Sequence, residues 1–190
     1  MEDCLGKKTL ILGDVNTGKT TLTKRILEDF CRRGLGRRIA ILDMAPEISE
    51  ALAREKRLAG VGGRLAPPEG YGVLYLGGRL EPPRLSSKTE EESMEKARQN
   101  RRAIDGLFRK LDGRDREILL INDITLYLQA GKADTLIPRL NRVGTVVANG
   151  YWGERLGGGA LTVREKAETA KLRSWFEREG RVSVLSRIPS

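Results

Sequence analysis

The sequence predicts a three-layer α/β/α sandwich built on a mainly parallel sheet. Short apolar runs alternate along the chain with longer segments of helical periodicity, and most of the runs are continuously apolar, as is typical of strands buried on both faces. The six predicted strands are residues 9–12, 38–43, 71–76, 117–123, 144–149 and 181–185. Because parallel strands need crossover connections, we expect helices to cover both faces of this sheet.

Four helices are predicted between the strands, from apolar side chains at helical spacing and from residues that start or stop a helix. In the first of them, Leu22, Ile26 and Phe30 recur at a spacing of four and would share one buried face. Two segments rich in glycine and proline, 60–70 and 77–88, are predicted to be loops. The predicted helices are residues 19–31, 48–59, 89–111 and 162–180.

Capping boxes are predicted at the start of the two longest helices. Thr89 precedes Glu92 by three positions, and Thr162 precedes Glu165 in the same way, a spacing that lets the threonine hydroxyl and the glutamate satisfy unpaired amides of the first turn. The apolar stripe predicted for the last helix is Ala167, Ala170, Leu172, Trp175 and Phe176.

Length and composition predict a single domain over residues 1–190, since 190 residues with 39% apolar side chains can bury a substantial core. No apolar run approaches the roughly 18 residues of a membrane helix, so no membrane span is expected. Residues 1–8 carry both charge signs and lack the apolar core of a signal peptide. We therefore expect a cytoplasmic location.

The chain is basic and contains no histidine. A formal net charge of +9 favours a nucleic acid or another polyanionic partner, but a charge-rich, thermophile-like surface would give the same composition, and both interpretations stay open. The absence of histidine excludes histidine metal sites and leaves acid–base chemistry to carboxylates, lysine, tyrosine or metal-bound water. Cys4 and Cys31 stand in no metal-ligand spacing and are predicted to be reduced structural thiols.

A phosphate-binding loop is predicted directly after the first strand, where residues 13–20 fit the pattern Gly-x-x-x-x-Gly-Lys-Thr and open the first helix. Glycines let the main chain approach phosphate oxygens closely, and the helix N-terminus directs amide groups at them. Lys19 is expected to reach the β- and γ-phosphates of a nucleoside triphosphate, and the Thr20 hydroxyl to bind Mg²⁺. The predicted nucleotide-binding residues are Gly13, Asp14, Val15, Asn16, Thr17, Gly18, Lys19, Thr20 and Thr21.

Two aspartates at predicted strand ends are candidates for the carboxylate that such a loop requires. Asp123 follows four apolar residues and Asn122, and we expect it to hold Mg²⁺ together with Thr20. Asp43 ends the second strand in a similar pattern and is the candidate for positioning water or a substrate hydroxyl. The alternative for either residue is a loop-start or cap aspartate, which is common at strand ends.

The segment after the fifth predicted strand bears on nucleotide choice and on further charge stabilisation. Arg155 or Arg164 is a candidate for stabilising transition-state charge if this glycine-rich segment closes over the phosphates; the alternative is a solvated connection with Trp152 packed on the domain. GTP-specific proteins place Asn-Lys-x-Asp at this strand end, whereas Asn149 is followed here by Gly-Tyr-Trp. ATP is therefore the expected nucleotide, with GTP possible.

Basic side chains also crowd the long helix, but acidic residues intersperse them and no nucleic-acid-binding motif accompanies them. We regard this surface as a weak signal for nucleic acid. The basic residues are Arg98, Arg101, Arg102, Arg109 and Lys110, with Arg114 and Arg116 just beyond.

With the loop and the two aspartates in place, the chain resembles a phosphate-loop NTPase of the nucleotide-kinase and GTPase division. The order of its segments is similar to that of the polynucleotide 5′-hydroxyl kinase family of RNA processing, and small metabolic NTPases of the molybdopterin-guanine dinucleotide and dethiobiotin synthetase kind share the scaffold. The counterparts of the kinase family's segments are Asp43, Ala66-Pro67-Pro68, Tyr75-Leu76-Gly77 with Pro82-Pro83, and Leu120-Ile121-Asn122, where Asp123 replaces the family's usual threonine.

These observations predict a magnesium-dependent NTPase that couples ATP hydrolysis to an unidentified partner, with Lys19, Asp43 and Asp123 as catalytic residues. The alternative is a kinase that transfers the γ-phosphoryl group to a hydroxyl of a polynucleotide or a small molecule. Asp43 would then be the base, and arginines near Arg84 or on the long helix would hold the acceptor. A nucleotide-binding module with negligible turnover is the third possibility.

Overall fold

The computed structural model describes residues 3–55 and 63–186. Strands and helices alternate along the described part of the chain, which also contains a 3₁₀ turn at Gly36–Arg38. The strands are β1 (Lys8–Gly13), β2 (Ile39–Asp43), β3 (Leu74–Gly77), β4 (Ile118–Asn122), β5 (Thr145–Tyr151) and β6 (Gly180–Leu185). The helices are α1 (Lys19–Arg32), α2 (Glu50–Glu55), α3 (Pro83–Ser86), α4 (Glu90–Leu111), α5 (Thr125–Leu128), α6 (Ala133–Asn141) and α7 (Ala160–Glu179).

The six described strands form one sheet in the order β3-β2-β4-β5-β1-β6, and every pairing is parallel. All strands therefore end at the same edge, where Gly13 of β1 lies opposite Tyr151 of β5 and Asp43 of β2 lies opposite Asn122 of β4. The predicted α/β fold class is confirmed, with a sheet that is wholly rather than mainly parallel.

Alternate residues of the central strands pack into two separate cores. Leu10 and Leu12 of β1 belong to the core that contains α4, α5, α6 and α7, whereas Ile11 faces the core formed with α1. Because α1 and α7 follow the neighbouring strands β1 and β5 but cover opposite faces, the winding of the sheet reverses between these two strands. Ligands of open α/β sheets bind at such a reversal, outside the carboxyl ends of the strands.

Most sequence-based boundaries agree with the structure, and the differences have local causes. The third strand begins at Leu74 rather than at residue 71, and the second helix is described only over Glu50–Glu55. Residues 56–59 of its predicted span, and residues 60–62 of the predicted loop 60–70, lie outside the described part. The predicted loop 77–88 contains α3, which begins at Pro83, a position where the missing amide hydrogen is tolerated.

The helices α5 and α6 were not predicted. Pro138 within α6 weakens the helical signal of its segment. The first amide of α6, on Ala133, donates to the carboxylate of Glu168 at 2.7 Å, so a residue 35 positions away caps this helix. A cap supplied by tertiary structure leaves no local sequence signature.

The prediction for the buried face of α7 is partly wrong. Leu172, Trp175 and Phe176 are buried as predicted, but Ala167 and Ala170 are exposed. The buried positions of α7 between residues 162 and 171 all hold polar residues, which are Thr162, Glu165, Glu168 and Thr169.

The predicted capping box at Thr162 is also wrong, because α7 begins at Ala160 and Thr162 lies in its first turn. The Thr162 hydroxyl donates to the main-chain oxygens of Gly157 and Gly158, each at 3.2 Å. Glu165 is buried and forms an ion pair with Arg84 instead of capping the helix.

The start of α4 agrees with the predicted cap. The Thr89 hydroxyl accepts a hydrogen bond from the Glu92 amide at 3.1 Å, while the Glu92 carboxylate accepts from the Lys88 amide at 2.9 Å. The threonine half of the capping box is therefore present, and the glutamate half is shifted by one residue.

We expect Thr89→Ala to lower the free energy of unfolding by about 1 kcal/mol, because an unpaired amide remains at the start of α4. Urea denaturation measures the change. Thr89→Ser keeps the hydroxyl and should retain most of the stability; an equal loss in both variants would show that the threonine methyl group, not the cap, is responsible.

Candidate functional site

Residues 13–20 form a loop whose conformation suits an anion. Asn16 and Gly18 have φ values of 58° and 83°, so the main chain turns through the left-handed region on either side of Thr17. The helix α1 starts at Lys19 with no side-chain cap and no acidic residue in its first turn. Its first amides are thus left for an external acceptor, at the end of the helix that carries partial positive charge.

The loop borders a cavity of about 330 Å³ at the carboxyl end of the sheet, a size within the range of roughly 300–1,000 Å³ that small-molecule sites occupy. Every residue from Val15 to Thr21 lines it, whereas Gly13 and Asp14 lie behind the wall. The remaining lining residues are Ala45, Gly63, Asn122, Asp123, Asn149, Tyr151 and Leu156.

Lys19 lies across the loop rather than in open solvent. Its ammonium nitrogen donates to the main-chain oxygen of Asp14 at 2.5 Å, and the Thr17 hydroxyl donates to the same oxygen at 2.9 Å. Burial lowers the pKa of Lys19, while the carboxylates of Asp123 and Asp14 oppose this shift. The ammonium group therefore lies at the cavity wall next to two carboxylates.

The segment after β5 packs against the outer side of the loop. The Trp152 amide donates to the Gly13 oxygen at 2.9 Å, and a Cβ at Gly153 would overlap the carboxylate of Asp14. The Trp152 ring packs against the core, while Tyr151 and Leu156 line the cavity. A larger residue at position 153 would require the Asp14 side chain to move, so the absence of a Cβ there permits this close approach.

Asp43 does not line this cavity, in contrast to the role predicted for it. The residue is fully buried, and its carboxylate accepts hydrogen bonds from the Ala45 amide (3.2 Å), the Leu65 amide (2.8 Å), the Tyr75 hydroxyl (2.9 Å) and the Asn122 amide group (2.9 Å). Burial and the bond to this carboxylate raise the pKa of Tyr75 to about 12. Four donors occupy the carboxylate, so Asp43 connects structural elements.

Asn122 lies between Asp43 and the phosphate loop; the sequence analysis names it within the segment Leu120-Ile121-Asn122 but assigns it no role. Its side-chain nitrogen also donates to the Gly63 oxygen at 2.9 Å. Its side-chain oxygen accepts from Asn149 at 3.0 Å and from the Thr20 hydroxyl at 3.4 Å, and Asn149 donates in turn to Thr23 at 3.0 Å. These bonds connect the ends of β4 and β5 with the first turns of α1.

Asp123 lines the cavity, as expected of a residue that contacts a ligand. It adopts a φ of 58°, its amide donates to the Asn149 side chain at 3.0 Å, and its carboxylate accepts from the Thr125 hydroxyl at 3.0 Å. Burial raises the pKa of Asp123, an effect opposed by the Thr125 bond and by the charge of Lys19. One carboxylate oxygen is therefore held in place by the protein.

A buried ion pair adjoins Asp123 on the side away from the loop. The Arg84 guanidinium contacts the Glu165 carboxylate, and both side chains are buried, with 8% and 3% of their surface exposed. The Arg84 guanidinium also lies 5.5 Å from the centre of the Tyr151 ring. Burial raises the pKa of Glu165 to about 7 although Arg84 opposes the shift, and the charge of Asp123 adds to it. Sequence reasoning missed Glu165 because the capping-box spacing assigned it another role.

The other candidate cations of the sequence analysis lie elsewhere. Arg155 is exposed, and Arg164 donates to the main-chain oxygens of Ala130 and Gly131 at 3.2 and 3.3 Å. On α4, three of the basic side chains are within 3.6 Å of a carboxylate of the same helix; they are Arg98, Arg101 and Arg102. Ion pairing thus reduces the charge that this surface presents.

In the described ranges 3–55 and 63–186, no cluster of three or more acidic or cysteine side chains forms a metal site, and no helix is long and apolar enough to cross a bilayer. A magnesium site at a phosphate loop needs no such cluster, because the metal is bound through one or two protein oxygens and the substrate phosphates. Thr20 and Asp123 both line the cavity and supply oxygens of this type, so the residues fit the ion.

We expect Glu165 to make the stability of the fold depend on pH. The folded chain raises the pKa of this carboxyl from 4.5 to about 7, so the stability it contributes is full below pH 4.5 and is lost as the pH rises through 7. The loss is on the order of 3 kcal/mol. Urea unfolding at pH 5 and pH 8 should show a larger decrease for the wild type than for Glu165→Gln, and equal decreases would contradict the assignment.

No family model and no curated protein matches this chain. Among solved structures, the chain is similar to the flagellar accessory protein FlaH from Methanocaldococcus jannaschii, with 11% identity and a TM-score of 0.41 over 86% of this chain and 68% of that one. It is also similar to an ATPase from the type III secretion system of pathogenic bacteria, with 15% identity and a TM-score of 0.43 over 96% of this chain. The chain spans 52% of the length of that ATPase. The structure itself shows an α/β fold in which the predicted Gly-x-x-x-x-Gly-Lys-Thr segment lies between β1 and α1 of a parallel sheet.

Proposed function

We propose that this protein binds a nucleoside triphosphate together with Mg²⁺ and hydrolyses it, with ATP as the nucleotide and an unidentified partner process as the consumer of the energy. The observation that carries this proposal is the loop of residues 13–20, whose uncapped helix N-terminus and half-buried Lys19 border a cavity of about 330 Å³. A chain of phosphates matches that donor arrangement, because each phosphate brings several charged acceptor oxygens.

Each residue of the cavity has a part in this reaction. The loop amides hold the β- and γ-phosphates, and Lys19 exchanges its bond to the Asp14 oxygen for one to the terminal phosphate. Thr20 and Asp123 bind the magnesium ion, which supplies neutralisation of charge on the phosphate oxygens. The phosphates are thereby held in line for attack by water at the open side of the cavity.

In this proposal Asp43 acts through Asn122 rather than on water. Its carboxylate already accepts four hydrogen bonds and is fully buried. The bond from Asn122 to Asp43 orients the Asn122 side-chain oxygen toward Thr20, a proposed magnesium ligand. Asp43 is thus a positioning residue, and Asp123 is the carboxylate that contacts the ligand.

The preference for ATP is supported by the position of Asn149. Both ends of its side chain are used inside the protein, by Thr23, Asn122 and the Asp123 amide, so the side chain is not available to read a base. The residues that follow it, Gly150 and Tyr151, supply no carboxylate for a guanine.

Replacing Lys19 tests the proposed binding. We expect Lys19→Ala to weaken the binding of Mg-ATP by about 10- to 100-fold, the contribution of one or two charge-assisted hydrogen bonds. Isothermal titration calorimetry measures the affinity. Lys24→Ala removes an exposed lysine from the same helix and should leave the affinity unchanged. No measurable heat from the wild type with ATP or GTP would refute the proposed function.

A second candidate function, phosphoryl transfer to a hydroxyl compound, is favoured by one specific observation. A smaller cavity of about 60 Å³ adjoins Asp123 on the side opposite the phosphate loop, and its walls include Pro82, Leu126 and Leu156. An acceptor placed there would approach the terminal phosphate past the Asp123 carboxylate. Arg84, near which the sequence analysis placed the arginines that would hold an acceptor, also lines this cavity.

Incubation with γ-labelled ATP, with and without an oligonucleotide that has a free 5′-hydroxyl, separates the two candidates. We expect free labelled phosphate in both reactions, and Asp123→Asn should reduce its release by tenfold or more because a proposed magnesium ligand is lost. Labelled oligonucleotide would instead support the transferase. ATP that is bound but remains intact would show that the protein is a binding module without turnover.

A further inference from the structure

Arg84 is a buried cation with few partners. A guanidinium has five donor hydrogens, yet among the described residues Arg84 forms a single hydrogen-bonded contact, the ion pair with Glu165. Its side chain is only 8% exposed, and its Nε has no hydrogen-bond partner in the described part of the chain. A buried arginine with most donors unused is costly, since each unsatisfied donor loses its bonds to water.

The position of Arg84 puts it next to the proposed phosphate site. Arg84 and Glu165 both line the 60 Å³ cavity. This cavity shares three lining residues with the 330 Å³ cavity at residues 15–21, here called the phosphate cavity: Asp123, Tyr151 and Leu156. Arg84 is close enough to Asp123 for its charge to lower the pKa of that carboxyl. The Tyr151 ring, 5.5 Å away, supplies a face along which the guanidinium can move without losing all of its contacts.

Charged groups of both signs meet at this point in the nucleotide-free protein. Lys19 faces the carboxylates of Asp123 and Asp14, and Arg84 faces that of Glu165. A triphosphate that enters the cavity with one magnesium ion is still a net anion, which favours a second cation in addition to Lys19. Arg84 is the arginine that adjoins Asp123, whereas Arg164 is bonded to main-chain oxygens and Arg155 is exposed.

From this arrangement we infer that Arg84 leaves Glu165 for the terminal phosphate of a bound triphosphate, so that it discriminates triphosphate from diphosphate nucleotides. Glu165 holds the arginine within the fold until the third phosphate is present. A diphosphate, whose last phosphate lies deeper in the loop, leaves the ion pair intact. The inference rests on the proposed nucleotide binding and names the residue that reads the terminal phosphate.

The test compares the Kd values of Mg-ATP and Mg-ADP, measured by calorimetry, in matched variants. Arg84→Gln should weaken ATP binding by about tenfold or more and leave ADP binding nearly unchanged, because the lost contact is to the terminal phosphate. Glu165→Gln frees the arginine and should keep or increase the preference for ATP. Arg84→Lys should keep more of the preference for ATP than Arg84→Gln does, because the lysine ammonium retains the positive charge but not the planar donor arrangement of the guanidinium.

Two further variants separate this role from a purely structural one. Arg84→Gln combined with Glu165→Gln removes both charges, so that no unpaired buried carboxylate remains, and should show the same loss of preference as Arg84→Gln alone. Arg139→Gln is the matched control, because Arg139 also pairs with a carboxylate (Asp105, 2.9 Å) and also lies over an aromatic ring (Phe108, 4.7 Å), but it does not line the phosphate cavity. Its ratio of Kd values should equal that of the wild type.

An unchanged ratio in Arg84→Gln would overturn the inference, as would an equal loss of ATP and ADP binding. A loss of preference in Glu165→Gln as large as in Arg84→Gln would also overturn it, because the ion pair rather than the arginine would then be required. If the wild type binds neither nucleotide, the proposed function itself fails. If the wild type binds both and Arg84→Gln keeps its ratio, only the present inference fails.

Discussion

Hydrogen bonds between side chains join the carboxyl ends of three neighbouring strands, and the candidate site depends on them. The Asp43 carboxylate of β2 accepts a hydrogen bond from the Asn122 side chain of β4, and Asn122 accepts one from Asn149 of β5. Both asparagines also bond to α1: Asn122 accepts from the Thr20 hydroxyl, and Asn149 donates to the Thr23 hydroxyl. A polar group buried without a partner costs about 1–3 kcal/mol, so each member of this network constrains the position of the next. The network therefore fixes the phosphate loop relative to the sheet.

The two sides of the cavity differ in how completely their polar atoms are satisfied. Asn122 makes four hydrogen bonds, two as donor and two as acceptor, and the Asp43 carboxylate accepts four. On the opposite side, the Arg84 guanidinium is nearly as deeply buried but has one carboxylate partner, Glu165, among the described residues. A saturated network resists rearrangement, whereas an unsaturated buried pair can exchange partners at a lower cost. The saturated network of Asp43 and Asn122 therefore suits the proposed holding of a nucleotide, and the Arg84–Glu165 pair suits the proposed response to it.

Sequence reasoning predicted the part of the site that is local in the chain. The strand, the glycines, Lys19 and the start of α1 are contiguous, so the pattern of residues 13–20 contains the whole geometry, and the predicted positions from Val15 to Thr21 all line the cavity. The role of Asp43 could not be predicted in the same way. An aspartate at a strand end looks alike in the sequence whether it faces a ligand or, as here, is surrounded by donors from three other segments.

The same distinction explains the errors in the helices. The sequence shows the cap of α4 because Thr89 and Glu92 are neighbours, but it cannot show that Glu168 of α7 caps α6. The buried stripe of α7 was assigned to small apolar residues, Ala167 and Ala170, since burial of glutamate is unfavourable in the absence of a known partner. Tertiary partners that lie far away in the chain reverse that preference.

The two buried glutamates of α7 are not equivalent, and the difference between them has a functional meaning. Glu168 accepts from the Ala133 amide at 2.7 Å and lies 2.7 Å from the Lys171 ammonium, so the start of α6 accounts for its presence. Glu165 caps no described helix, and it forms an ion pair with Arg84, itself a buried charge. Replacing such a pair by apolar residues is often neutral or stabilising, so stability alone does not explain why the fold carries both charges. Buried charges that stability does not explain are found mainly at functional sites. The Arg84–Glu165 pair is such a case, and it lies beside Asp123, which lines the phosphate cavity.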